Sequence, residues 1–188
     1  MNLSELREYI ENLKWDDDFM PFYHNALSGM SDDVFDLFVL RYLDHDCTNT
    51  YIDFELLKYC AEHNHELANN LLTLCNWEND LDNCKRKILF YYKTKSQIGN
   101  LRQLWLLGFC YVSFGFEYSV SIETENAFGP SCMVGAFECF KRCADSDFHL
   151  GILYAFYFCD NPNSYNIAIK NNEALLKEYK QKIKELHI

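Results

Sequence analysis

The chain has 188 residues, of which 49% are apolar and 16% aromatic, and its 28 acidic and 17 basic residues give a net charge of −11. This composition excludes an intrinsically disordered chain, and no apolar run approaches the ~20 residues that a transmembrane helix needs. The negative charge argues against direct binding to nucleic acid and favours a cationic protein partner. Because the amphipathic start of the chain lacks the apolar core of a signal peptide, we expect a cytoplasmic protein without a membrane partner.

The spacing of apolar residues, which recur at intervals of three and four while glycine and proline number only 7 and 3, predicts an all-α fold. We expect helix N-caps at Ser4, Ser31, Asp53 and Ser164, and helix ends at Gly29 and at Gly99 with Asn100. The predicted helices cover residues 4–14, 19–28, 31–44, 53–63, 65–76, 80–97, 100–114, 131–145, 147–159 and 165–186.

Internal repetition is the strongest sign of organisation in the sequence. Three segments, beginning at Asp53, Ile88 and Ala136, align without gaps, and their starts are 35 and 48 residues apart. The difference indicates an insertion of 13 residues in the loop over residues 116–130. A period of this kind is typical of α/α solenoids. We expect one domain over residues 1–188, with acidic N-terminal helices (1–52), about three helix-pair repeats (53–159) and a C-terminal capping helix (160–188).

Two of the segments carry a recurring set of aromatic, small and lysine residues. In the first helix of the third segment these are Ala136, Phe137, Phe140, Lys141 and Ala144, and in the second helix of the second segment they are Leu107, Gly108, Tyr111 and Gly115. At these residues the repeats resemble the Sel-one-like family, a relative of the tetratricopeptide repeats, over residues 53–159. That family's first helix reads roughly A-F-x-W-Y-x-K-A-A, and its second helix carries A-x-x-x-L-G-x-x-Y. The sequence departs from the pattern at Thr73, Gln103, Asp147, Phe148 and Phe156. The resemblance implies a stack of helix pairs that binds proteins.

Residue size within the helices predicts how they pack. Small residues let neighbouring helices approach closely, and we expect such contacts at Ala61, Ala68, Gly108, Ala144 and Gly151. The last helix should cap the array with one apolar side, formed by Ile167, Leu175, Leu176, Tyr179, Ile183 and Leu186.

The sequence has none of three familiar catalytic or nucleotide-binding motifs: the glycine-rich phosphate loop, the G-x-S-x-G nucleophile elbow and the H-E-x-x-H zinc motif. The nine cysteines form no CxxC pair, so we expect free, mostly buried thiols. Two polar clusters, 62–66 and 44–47, have metal-compatible atoms but poor spacing for one ion. A Cys-His pair such as Cys110 with His149 stays open. We predict a protein that is not an enzyme and has no cofactor, metal site or catalytic residue.

Acidic residues are concentrated near the N-terminus, because residues 1–56 hold 13 acids and 3 bases. Helix capping explains part of this excess. The rest favours a surface that binds a basic partner, to which the acidic loop near residue 123 could contribute. The predicted partner-binding residues are Asp16, Asp17, Asp18, Asp32, Asp33, Asp36, Asp44, Asp46, Glu123 and Glu125.

Aromatic residues are interleaved with these acids and allow two interpretations. They could be anchors that insert into the partner, or they could form a stripe that faces the core. The residues concerned are Trp15, Phe19, Phe22, Tyr23, Phe35, Phe38 and Tyr42.

The function that we infer from charge and fold class is non-enzymatic protein binding. We favour a bacterial immunity protein, which would neutralise a cationic, nuclease-type toxin domain by covering its nucleic-acid groove with carboxylates. A regulatory or scaffold repeat protein, including a pathogen adaptor that binds a host complex, is the alternative. An enzyme that uses a thiol or an acid pair is the third possibility. The sequence leaves the oligomeric state open.

Overall fold

The computed structural model describes residues 1–13, 19–44, 53–74, 81–118, 130–161 and 169–187, and this part of the chain is helical with no strand. The all-α prediction is therefore confirmed. None of the described helices is both long and apolar enough to cross a bilayer. They are α1 (Leu3–Glu11), α2 (Met20–Ala26), α3 (Ser31–Asp44), α4 (Phe54–Glu62), α5 (Glu66–Leu74), α6 (Leu81–Lys95), α7 (Leu101–Tyr118), α8 (Pro130–Asp145), α9 (His149–Asp160) and α10 (Asn172–Leu186).

The helices form two compact units, Met1–Tyr91 and Tyr92–Ile188, and the boundary lies within α6. In the first unit, α3 packs between α2 and α4, and α4 also packs on α5. In the second unit, α7, α8, α9 and α10 pack on one another in chain order. From α2 to α5 and from α7 to α10, helices that are adjacent in sequence are thus neighbours in space. The three-part division expected at residues 52 and 159 stays a prediction.

Helix starts follow the sequence at α4 but differ from it at α1, α3 and α10. Ser31, predicted as a cap, is the first residue of α3, and α10 starts at Asn172 and not at residue 165. Asp53 caps α4 as predicted, because its carboxylate accepts a hydrogen bond from the Leu56 amide at 3.2 Å. The expectation of a cap at Ser4 is wrong. Asn2 caps α1 instead, with its side chain accepting from the Glu5 amide at 3.0 Å while the Glu5 carboxylate accepts from the Asn2 amide at 2.7 Å. This reciprocal pair satisfies two donors that a serine at position 4 would leave open. Position 164 lies outside the described residues.

The end of α7 differs from the prediction. We expected the helix to stop at residue 114 and a loop to start at 116, but α7 continues to Tyr118. A single glycine, here Gly115, costs a helix only about 1 kcal/mol relative to alanine and does not end it. Residues 119–129, which include most of the predicted acidic loop, lie outside the described part of the chain.

The aromatic stripe of the first unit belongs to its core. Five of its seven residues are at most 5% exposed: Phe19, Phe22, Phe35, Phe38 and Tyr42. Tyr23 is half-buried, and Trp15 lies outside the described residues. Burial of a large apolar side chain contributes about 1.5–3 kcal/mol, so these rings stabilise the fold and are not available as anchors for a partner. For these five residues, the core-facing interpretation is the correct one.

A buried ion pair holds three helices of the first unit together. Arg41 of α3 places its Nε 3.0 Å from Oδ2 of Asp53, whose side chain is 1% exposed. The hydroxyl of Tyr9 in α1 donates to Oδ1 of the same carboxylate at 2.9 Å. Asp53 therefore joins α1 and α3 to the first turn of α4, which it also caps.

Close backbone contacts hold the second unit together, as the glycine positions predict. A Cβ atom at Gly151 of α9 would lie 2.8 Å from the backbone nitrogen of Ala144 in α8. A Cβ at Gly108 of α7 would lie 2.7 Å from Cε1 of Phe140. Such distances are too short for two unbonded heavy atoms, so glycine permits both approaches.

The last helix packs on α9, in agreement with the side that the sequence predicts. Tyr179 is fully buried, Leu175, Leu176 and Ile183 are half-buried, and Leu186 is 46% exposed. Lys182 donates to the Ala144 carbonyl and to Asp147, both at 2.9 Å, and so ties α10 to the end of α8. Residue 167 lies outside the described residues.

The two units contain the same three-helix motif, which joins α3 to α4 and α5 in the first unit and α7 to α8 and α9 in the second. Gly29 and Gly99 both have left-handed backbones, with φ of 78° and 86°, two residues before α3 and α7. Both were predicted as helix ends. The amide of Val34 donates to Met30 at 3.0 Å, and that of Leu104 donates to Asn100 at 2.9 Å, so the two helices start alike.

The turns between the paired helices are also equivalent. Asn64 and Asp147 have left-handed backbones, with φ of 64° and 56°. The next residue donates to a cysteine carbonyl in both turns, His65 to Cys60 at 2.9 Å and Phe148 to Cys143 at 3.0 Å. The thiols of those cysteines lie 3.5 and 3.4 Å from the carbonyl of the first residue of α3 and of α7. These pairs have the same register as the alignment of the segments that begin at Asp53 and Ala136.

Candidate partner-binding surface

The structure describes three of the ten predicted partner-binding side chains: Asp32, Asp33 and Asp36. Asp44 ends α3, but its side chain lies outside the described part. The remaining predicted positions also lie outside it: Asp16, Asp17, Asp18, Asp46, Glu123 and Glu125.

The assignment of Asp36 to a partner-binding surface is wrong. Its side chain is 1% exposed and lies in the run of residues 34–40, all of which are buried in the middle of α3. A carboxylate in this position cannot contact another protein. Helical spacing places Asp36 on the face of α3 that carries Asp32 and Asp33. Along that face, burial increases from partial at Asp32 and Asp33 to complete at Asp36, one helical turn later.

Asp32 and Asp33 lie where the start of α3 meets the turn between α4 and α5. Oδ1 of Asp32 is 3.4 Å from Nε2 of His65, which lies in that turn. This contact brings the two acids near the glutamates on either side of the turn. We call the four carboxylates the acidic corner: Asp32, Asp33, Glu62 and Glu66.

The side chains of the acidic corner are at the surface. Asp32 is 48% exposed and Glu62 56%. Oε2 of Glu62 lies 3.2 Å from the amino group of Met1, and the Ser28 hydroxyl donates to Asp33 at 3.4 Å. Exposed contacts of this kind are weak, so these carboxylates remain accessible to a stronger partner.

Helix dipoles explain only part of the acidic corner. Asp32 and Asp33 lie in the first turn of α3 and Glu66 in the first turn of α5, where negative charge is stabilising. Glu62 lies in the last turn of α4, where the dipole opposes it. Local helix stability therefore does not account for all four acids.

His65 fixes the geometry beneath the acidic corner. Its Nδ1 accepts a hydrogen bond from the Ala68 amide at 3.1 Å, and the ring stacks on Phe35 with centroids 4.1 Å apart. Because Nδ1 accepts, the proton of the neutral ring is on Nε2, which faces the Tyr91 hydroxyl at 3.1 Å and Asp32. The ring is 4% exposed. It is a structural cap for α5.

Tyr91, which is half-buried, is the third member of this group. Burial is the main cause that raises the pKa of its phenol, followed by the charges of Asp32 and Asp36. The phenol therefore stays protonated at neutral pH. His65 has both ring nitrogens engaged, so neither side chain offers a free basic site. This Asp-His-Tyr group connects α3, the turn before α5 and α6 through side-chain contacts. Its histidine does not have the free ring nitrogen that a general base needs.

The two histidines of the 62–66 cluster point in different directions. Nδ1 of His63 lies 2.8 Å from the Tyr59 carbonyl and its ring stacks on the Tyr59 ring, whereas His65 points into the core. Across the described ranges, no group of three metal-binding side chains converges. The second cluster lies outside these ranges, apart from the backbone of Asp44.

The seven described cysteines are buried and none of them forms a disulfide, as we expected from the sequence. Burial raises the pKa of Cys139 and Cys143 to about 12 and that of Cys159 to about 11, so these thiols are protonated at neutral pH. Cys110 is fully buried, which does not suit a nucleophile that must reach a substrate. Cys47 and Cys75 lie outside the described residues.

Glu62 and Glu66 belong to the acidic surface but were not predicted there, because beside His63 and His65 they were interpreted only as possible metal ligands. The available signal was the break between the predicted helices 53–63 and 65–76, which places both glutamates at one end of a helix pair. Their meeting with Asp32 depends on a contact between residues 33 positions apart, which no local pattern contains.

Comparisons with protein-family models, with curated proteins and with solved structures found no match for this chain. The class that the structure defines is an all-helical protein with an exposed acidic corner on its first unit.

Proposed function

We propose that this protein is a non-enzymatic binding module whose acidic corner contacts a basic surface of a protein partner. The observation that carries this proposal is a difference between equivalent positions of the two units. Asp32, Asp33, Glu62 and Glu66 correspond in the shared motif to Arg102, Gln103, Asp145 and His149. The four equivalent positions thus hold four acids in the first unit, but only one acid, Asp145, and one arginine, Arg102, in the second.

This difference separates the requirements of folding from those of function. The same helix starts and the same turn form in the second unit without the acidic set. The backbone therefore does not need four carboxylates here. Like charges that lie close together repel one another, so their concentration is better explained by a cationic partner.

Within this class we favour an immunity protein that neutralises a cationic nuclease-type toxin domain in the cytoplasm. Carboxylates would occupy the groove where the toxin binds phosphates, and long-range attraction would speed association. We also propose that the helix pairs are Sel-one-like repeats in an α/α solenoid, with the acidic N-terminal helices and the last helix as its ends. Such arrays commonly bind proteins on an extended surface.

The test is to co-express the protein with the basic C-terminal domain encoded by the gene directly upstream. We expect the wild type to restore growth and Asp33→Lys/Glu66→Lys to fail. A matched variant, Glu138→Lys/Asp160→Lys, makes the same charge change at exposed sites of the second unit and should still protect. All three proteins should have similar melting temperatures.

Association kinetics provide the second measurement. The reversed acidic corner should slow binding at least tenfold at low salt, and this difference should shrink as salt rises, because salt screens exposed charges. Equal rates for the wild type and the corner variant would contradict the proposed surface. If no upstream toxin exists and a housekeeping complex is captured instead, the regulatory or scaffold function replaces the immunity function.

A further inference from the structure

Met30 occupies a position where the equivalent residue of the second unit has a capping role. The side chain of Asn100 accepts from the amides of Arg102 at 3.1 Å and Gln103 at 3.4 Å, and so caps α7. Met30 precedes α3 in the same way, and its carbonyl accepts from Val34. A methionine side chain cannot accept those amide hydrogen bonds, so the first unit has no such cap at this position.

The side chain of Met30 also faces water. It is 64% exposed, whereas most large apolar side chains in the described part of the unit are in the core. Leu3, 38% exposed, packs against Gly29, the residue that precedes Met30, so closely that a Cβ at Gly29 would collide with the Leu3 side chain. Met30 and Leu3 thus form a small apolar site beside the acidic corner.

The backbone that presents Met30 is fixed on both sides. The Tyr59 hydroxyl donates to the Gly29 carbonyl at 2.9 Å, and the Met30 amide donates to the Ser28 hydroxyl at 3.2 Å. Gly29 has a left-handed backbone that an ordinary side chain rarely adopts. A binding residue that is already held in place loses little entropy when a partner arrives.

We propose that Met30 and Leu3 are the apolar centre of the partner-binding surface, and that the partner supplies an aliphatic side chain flanked by lysine or arginine. This inference rests on the proposed function and specifies the chemistry of the segment that binds. The arrangement has the usual form of a binding hot spot, with apolar contact at the centre and charged groups around it. Charge complementarity selects a basic segment, and the flexible thioether of Met30 adapts to its aliphatic residue.

Two synthetic helical peptides with the same number of lysines provide the probe. One carries a stripe of leucine and the other has serine at those positions. We expect the leucine peptide to bind the wild type at least tenfold more tightly than the serine peptide and to shift the NMR signal of the Met30 methyl group. Met30→Gln should remove most of this preference without lowering the melting temperature.

Val134→Gln is the matched control, because Val134 is an apolar residue of the second unit with 46% exposure. It should leave the preference for leucine unchanged. If both peptides bind the wild type equally, or if Met30→Gln has no effect, the apolar centre is refuted while the acidic corner stands. If neither peptide binds and Asp33→Lys/Glu66→Lys changes nothing, the proposed function itself fails.

Discussion

The two units share a three-helix motif but stabilise it by different means. Charged or titratable polar groups are buried in the first unit, at Asp36, Asp53, His65 and Lys85. In the described part of the second unit, the buried polar residues are Ser96 and Gln103, neither of which is charged. That unit relies on thiols, aromatic rings and glycines that bring backbones together. The same backbone geometry is therefore compatible with two kinds of core.

This difference predicts how each unit responds to substitution. A buried polar group that loses its hydrogen-bond or charge partner is costly, so the stability of the first unit should be most sensitive to the loss of a single polar atom. Close packing is sensitive to volume, so the second unit should be most sensitive to added atoms.

The largest effect should come from Asp53→Ala in the first unit. It removes the ion pair with Arg41, the bond from Tyr9 and the cap on Leu56, and leaves a mostly buried guanidinium without this carboxylate. Breaking a buried pair in this way costs about 3–5 kcal/mol. Urea unfolding should show this loss, whereas Glu55→Ala at the exposed neighbouring position should change stability by less than about 0.5 kcal/mol. A small effect of Asp53→Ala would show that the network is not important for stability.

Gly151→Ala tests the second unit. The new methyl group would meet the Cys143 and Ala144 backbone, which cannot move like a flexible side chain, so we expect a loss of about 1–3 kcal/mol. Gly135→Ala on α8 is the control, because its Cβ would lie 3.6 Å from Tyr111, an ordinary contact distance. There the better helix propensity of alanine should add up to about 1 kcal/mol. Equal effects at both glycines would contradict the packing argument.

Sequence information was sufficient for features that depend on local spacing. The order and approximate positions of the helices, the left-handed glycines at 29 and 99 and the close contacts at Gly108 and Gly151 follow from periodicity and residue size. The acidic surface was predictable only in part. Asp36 has the same local pattern as Asp32, yet it is buried, because the depth of a helix face depends on the helices packed against it.

Alkaline pH should lower the free energy of unfolding through the buried thiols of the second unit. Burial raises the pKa of Cys139 and Cys143 to about 12, from an ordinary value of 9.0. Between these values the unfolded chain loses thiol protons that the folded chain keeps, so stability falls as pH rises. Each thiol should contribute a slope of about 1.4 kcal/mol per pH unit between pH 9 and 12. Cys139→Ala should reduce the slope measured by urea unfolding by that amount, and an unchanged slope would show that this thiol is not protected.

The smallest predicted effect is the most direct test of why the units differ. Met30→Asn gives α3 the cap that Asn100 gives α7, and should raise the free energy of unfolding by about 1 kcal/mol. The reverse change, Asn100→Met, should lower it by a similar amount. If Met30 is kept for binding, Met30→Asn must at the same time weaken the preference for the leucine peptide. A more stable protein that binds the peptide equally well would mean that the exposed methionine has no role in recognition, whereas a gain in stability coupled to a loss of binding identifies a residue retained for function at the expense of the fold.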